Sequence, residues 1–258
     1  VLGNGKEDLN ICKQNKIETF RHKIHRMGID KTGLEAIVLS QKHVNPNNRA
    51  NAMSLARQQI HIQPQTMHAM FRKYGVNAPL HACGEYFEEF FKNMGYAVTD
   101  SIDNSAYENA TIIHNLNLPL RFQGQEGQEG LKVQEGLKVQ EGLERKYDYV
   151  FDGGTIEHIF NCPQVCENII DMMEVGGIFC SVTVNNNLSG HGIYQFSPEF
   201  FLSAFAPKYG MEVLELYLAE INSDKEQWID VKSFNGWRNN TQINTLNPVY
   251  IIAIIKSE

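Results

Sequence analysis

The segment Tyr147 to Phe160, YDYVFDGGTIEHIF, constrains this chain more than any other. Tyr149, Val150 and Phe151 form a short apolar run behind Glu144, Arg145 and Lys146. Asp152, Gly153 and Gly154 stop it abruptly, the pattern of a buried strand entering a tight turn. In an open parallel sheet, ligands bind beyond the carboxyl ends of strands, and paired glycines let the backbone approach them closely. Thr155, Ile156, Glu157 and His158 then set an acid and an imidazole beside the turn. On these residues alone two readings stand level: a ligand site, or a strand-to-helix connection with Glu157 and His158 in solvent.

The rest of the chain limits what such a site can serve. A formal charge of −7 speaks against a general nucleic-acid or anionic-membrane surface, either of which needs a basic excess, and favours small-molecule or protein partners. With 258 residues, 42% of them apolar, there is material for a large core. The longest apolar stretch, Val249 to Ile255, is far too short for a membrane span and reads as a buried strand. The start, VLGNGKEDLN, has no charged-then-apolar signal pattern, so a cytoplasmic location is expected. Five cysteines in no framework spacing fit a reducing compartment.

Along the chain, residues 8–27 carry apolar positions at a mostly helical spacing and predict a leading helix. Ala36 to Leu39 (AIVL) predicts the first buried parallel strand, which puts Ser40 and Gln41 at its exit, in a polar stretch without glycine. Met53, Met67 and Met70 read as core or lid packing. Glu85 to Met94 predicts an amphipathic helix, Ala97 to Asp103 a second strand and Ala110 to His114 a third. Asp103 can accept hydrogen bonds from ribose hydroxyls or open the next turn. Asn115 can recognise a base edge or close its own turn. Residues 123–143 hold QEG twice and LKVQEG twice, too few repeats for a solenoid, and read as a flexible insertion.

Beyond the opening segment, Pro163 predicts a helix start and Ile178 to Val184 the next strand. His158, Cys162 and Cys166 are spaced by four, but Pro163 breaks a continuous helical face, and no metal site is expected from them. The loop Asn185 to Ser197 follows a strand end and offers His191, Tyr194 and Gln195 to a substrate. Pro198 to Tyr209 predicts a helix and Met211 to Leu218 a strand. Residues 221–246, with Trp228 and Trp237, form a polar insertion that either covers a substrate or anchors itself to the core.

Four blocks then align in order: SID at Ser101 to Asp103, LNLPL at Leu116 to Leu120, YDYVFDGGTIEHI, and EVGGIF at Glu174 to Phe179 with GHGIYQFSPEFF beyond it. Together, over about Gly84 to Leu218, they resemble the class I S-adenosylmethionine-dependent methyltransferases, particularly the small-molecule and sugar-modifying branch found with polysaccharide biosynthesis. The resemblance implies one α/β domain with a Rossmann-like, seven-stranded, mostly parallel sheet, helices on both faces and an antiparallel last strand. It implies S-adenosyl-L-methionine as cofactor, with Asp103 at the ribose, Asn115 and Leu116 near the adenine, and Gly153 and Gly154 beside the methionine portion. Ser40 and Gln41 would stand where the family carries its first-strand acid and glycines. It implies methyl transfer to a small polar acceptor, a sugar hydroxyl or amine, met by Glu157, Tyr194 and Gln195, with His158 or His191 as base. The alternative is a methyltransferase-like binding or assembly protein that has lost its cofactor.

Overall fold

The computed structural model describes residues 28–47, 49–76, 85–106, 108–121, 143–232 and 243–258. The expected leading helix 8–27, Trp237 and all of the 123–143 insertion except Leu143 lie outside these residues. Among the described residues eight strands form one sheet: β1 (Asn51–Leu55), β2 (Val98–Asp103), β3 (Ile112–Ile113), β4 (Tyr147–Asp152), β5 (Met173–Asn186), β6 (Met211–Glu220), β7 (Ile229–Asp230) and β8 (Val249–Ser257). Their order is β3-β2-β1-β4-β5-β8-β6-β7. The first five positions pair in parallel, whereas β8 runs antiparallel to both of its neighbours and β7 antiparallel to β6. This is the expected Rossmann-like α/β sheet, extended by the two-residue edge strand β7.

Helices cover both faces, because alternate strand residues point to opposite sides. Ala52, Tyr149, Phe151, Ile178 and Cys180 face a layer containing α1 (Lys31–Ser40), α2 (Pro64–Tyr74) and α3 (Phe87–Asn93). Met53, Leu55, Val150 and Phe179 face the opposite layer, which contains α4 (Cys162–Met172) and α5 (Pro198–Ala204). Met67 and Met70 are core residues, the packing role expected of adaptable Met side chains. Trp228 is buried against Tyr217, with ring centroids 5.8 Å apart, so the described part of the 221–246 segment anchors to the sheet.

The first strand is corrected by the structure. Ala36 to Leu39 belongs to α1, capped by Asp30, whose Oδ1 accepts the Gly33 N–H at 2.8 Å. Every residue from Thr32 to Ser40 is buried, so α1 has no polar stripe, and its apolar run imitates a buried strand. The true first strand, Asn51–Leu55, was hidden by Asn51 and Ser54. Ser40 and Gln41 are thus not at a strand exit. Ser40 Oγ lies 2.7 Å from the Tyr149 hydroxyl, and Gln41 accepts from Tyr96 at 3.2 Å, both in the core. The helix expected over 198–209 ends at Ala204, and Pro207 opens a separate 3-10 turn. Leu143 donates its N–H to the Arg121 carbonyl at 2.7 Å, so the residues flanking the repeat segment are neighbours.

Candidate functional site

The chain winds from β1 outward to β3 and then from β4 to the other side, which makes the β1–β4 boundary the switch point of the sheet. A cleft of about 550 Å³ opens there, bordered by the exits of β1, β2, β4 and β5 and by the start of α1. Thr155 Oγ1 donates to the Leu55 carbonyl at 2.8 Å, and Gln58 Nε2 donates to the same carbonyl at 3.2 Å and to Thr155 Oγ1 at 3.3 Å. These bonds tie the two exits into one rim.

Asp152 builds the turn after β4. Its fully buried carboxylate accepts the N–H groups of Thr155 at 2.9 Å and Ile156 at 3.3 Å, and the Ser181 hydroxyl at 2.7 Å. Burial pushes its pKa up to about 6, against the lowering effect of those bonds. Gly154 adopts φ +90°, open to glycine at no steric cost, and a Cβ on Gly153 would meet the Phe151 ring at 2.8 Å.

Glu157 sits in the single 3-10 turn that follows, 1% exposed, with Oε2 accepting the Thr183 hydroxyl at 2.7 Å. Burial and the negative charge of Asp152 push its carboxyl up to about 8. His191 Nε2 lies 3.8 Å from Glu157 Oε1, and the rings of His158 and His191 meet edge to face at 5.0 Å. Burial lowers the pKa of both imidazoles, so they stand neutral at pH 7.

Asp103, Gly153, Gly154, Glu157, His158 and His191 all line the cleft. The side chains of Asn115, Leu116, Tyr194 and Gln195 do not. Asn115 Oδ1 accepts the Asn117 N–H at 3.0 Å and closes its own turn, and Leu116 is buried in the core. The Tyr194 hydroxyl donates to the Phe160 carbonyl at 2.7 Å, and Gln195 is exposed.

Three lining residues left no clear mark in the sequence. Asp30 keeps Oδ2 buried without a hydrogen-bond partner at the edge of the cleft. Its cap position before Lys31-Thr32-Gly33 is the helix-start signal that could have revealed both it and α1. Ala56 leaves β1 at φ +56°, a left-handed conformation unusual for a residue with a Cβ, and Arg57 follows it over the Tyr86 ring at 4.0 Å. The described lining holds the acids Asp30, Asp103, Glu108 and Glu157 beside the guanidinium of Arg57; burial raises the carboxyls of Asp30 and Glu157, and Glu157, at about 8, is largely uncharged at pH 7.

No protein-family profile matches the chain, and no curated protein matches it in sequence. Among solved structures it is similar to an S-adenosylmethionine-dependent methyltransferase from Clostridium acetobutylicum ATCC 824, with 10% identity over 95% of this chain and 98% of that one and a TM-score of 0.47. It is similar to a Burkholderia thailandensis 1,6-didemethyltoxoflavin-N1-methyltransferase with bound 1,6-didemethyltoxoflavin and S-adenosylhomocysteine, with 8% identity, 100% and 92% coverage and a TM-score of 0.43. A third, TehB from Haemophilus influenzae, gives 12% identity and a TM-score of 0.42 over 86% of this chain, which spans 62% of the length of that protein.

Proposed function

We propose that this protein transfers a methyl group from S-adenosyl-L-methionine to a small polar acceptor, a sugar hydroxyl or amine. The observation that supports it most is the cleft at the switch point of the sheet, lined both by Asp103 at the end of β2 and by Asp30, whose Oδ2 is buried without a partner. Both carboxylates fit the groups this cofactor offers. Asp103 accepts from ribose hydroxyls, and Asp30 accepts from the ammonium of the methionine portion, gaining the partner that its buried oxygen lacks. Gly153 and Gly154 leave the backbone room to approach.

When bound, S-adenosyl-L-methionine supplies a methyl group already activated on a sulfonium. The protein's own task is to align the acceptor and take its proton where it has one. Neutral His158 and His191 are suited to receive that proton, and Glu157 beside them orients the acceptor. Asn115 and Leu116 are not among the residues lining the cleft and carry no role in this reading.

One observation favours a second reading, a binding or assembly protein without catalysis. The β1 exit carries Ser54, Leu55, Ala56 and Arg57 with no glycine, which restricts close approach there. Calorimetric titration with S-adenosylhomocysteine decides between them. Saturable heat, weakened at least ~10-fold by Asp103→Ala, is the expected result; no heat at millimolar ligand supports the second reading.

A further inference from the structure

We infer that Glu157, His158 and His191 form a binding site for one first-row divalent metal ion of the Zn²⁺ class. Such a site goes beyond methyl transfer: with the ion bound, both imidazoles hold it and the base role given to them above applies only to the metal-free cleft; the site depends on the arrangement of these residues whichever cofactor the cleft binds. One carboxylate oxygen and one ring nitrogen from each histidine lie within 4.8 Å of one another. In a tetrahedral Zn²⁺ shell, donors stand about 2.0–2.2 Å from the ion and hence roughly 3.3–3.6 Å apart. His158 is exposed and His191 partly so, which leaves both rings room to turn toward an ion.

The framework around the donors is fixed. Glu157 Oε2 is held by the Thr183 hydroxyl at 2.7 Å, which leaves Oε1 on the side of His191, as an orienting neighbour does for a ligating carboxylate. The loop bearing His191 is clamped to the Glu157 backbone, whose carbonyl accepts the N–H groups of Ile193 at 2.7 Å and Tyr194 at 3.1 Å. Gly192 makes this approach possible: it adopts φ +76°, and a Cβ there would lie 2.8 Å from Glu157 Cγ. Two imidazoles with one carboxylate suit Zn²⁺ and its first-row neighbours better than Mg²⁺ or Ca²⁺, which prefer oxygen alone. Three protein donors leave a coordination position open to the cleft, as in sites where an exogenous oxygen or nitrogen reaches the ion.

The test uses the full chain, stripped with a chelator and dialysed, then titrated calorimetrically with Zn²⁺ and spectroscopically with Co²⁺. One equivalent of Zn²⁺ should bind, and Co²⁺ should develop visible d–d absorption. His158→Ala and His191→Ala should each weaken Zn²⁺ at least ~10-fold, the lower bound set by losses seen when even an orienting neighbour is removed. His68→Ala, on α2, should not. His158 is exposed, so its variant tests the site without disturbing the core. Absence of stoichiometric Zn²⁺, or undiminished binding in both cleft variants, overturns the proposal. S-adenosylhomocysteine titrated in parallel separates the two ligands: heat from it without Zn²⁺ binding refutes the metal site and leaves methyl transfer standing.

Discussion

The Thr183 hydroxyl donates to Glu157 Oε2 at 2.7 Å, reaching from β5 to the turn that follows β4 and holding a carboxyl group that is 1% exposed. Two residues earlier on the same strand, Ser181 holds Asp152 in the same way at 2.7 Å. One edge of β5 thereby positions both acids of the turn. Thr183→Val should remove the donor and leave a buried acceptor unpaired, at a cost of about 1–3 kcal/mol. Thermal unfolding should show it as a drop of roughly 2–4 °C for each kcal/mol. An unchanged melting temperature would mean that the bond contributes nothing.

Gly192 is packed against Glu157 at a left-handed backbone position. Gly192→Ala combines a conformational penalty with a close contact, so it should lower stability by about 1–3 kcal/mol and push the His191 loop outward. Denaturant unfolding gives the energy, and a crystal structure of the variant gives the displacement.

Ala56 bends the chain at φ +56° as it leaves β1. Replacement by glycine removes the Cβ conflict at this position and should raise stability by about 1 kcal/mol. If calorimetry also shows tighter S-adenosylhomocysteine binding, close backbone approach was restricted by that Cβ; a loss of stability would contradict the strain.

Ser40 serves the core rather than the cleft, through its contact with the Tyr149 hydroxyl. Ser40→Ala should therefore cost about 1 kcal/mol in unfolding while changing ligand affinity less than about twofold. A larger change in affinity would reverse that assignment.

Glu215 supplies a pH dependence at the acid end. Burial alone would raise its pKa, but hydrogen bonds from Lys42, Tyr217 and His43 outweigh burial and hold it below the ordinary value of 4.5. A depressed folded-state pKa gives stabilisation that is complete above 4.5 and is lost as pH falls through the folded value. The melting temperature of the wild type should therefore fall more steeply between about pH 5 and 3 than that of Glu215→Gln. At neutral pH the variant should be less stable by about 0.5–1.5 kcal/mol, the net range of a hydrogen bond, since a neutral amide replaces the carboxylate that Lys42, Tyr217 and His43 hold. Parallel pH profiles would remove Glu215 as the source.

Sequence by itself determined the alternation of strands and helices from β2 onward, except for the short edge strand β7, and the tight turn after β4. Those features are local: a short apolar run closed by Asp152-Gly153-Gly154 limits its own conformation, and β8 is apolar from Val249 to Ile255 because both its faces are largely buried there. The first strand was decided by tertiary structure. Burial of α1 on every side erased the polar stripe that identifies a helix, while the polar Asn51 and Ser54 disguised β1. The same holds for the site. Glu157 and His158 are adjacent in the chain, but their nearness to His191, and the partnerless oxygen of Asp30, depend on loops meeting beyond the strand ends. Such meetings are set by the order of strands in the sheet and the packing of α1 against β5, long-range contacts that leave no periodic trace in the amino-acid sequence.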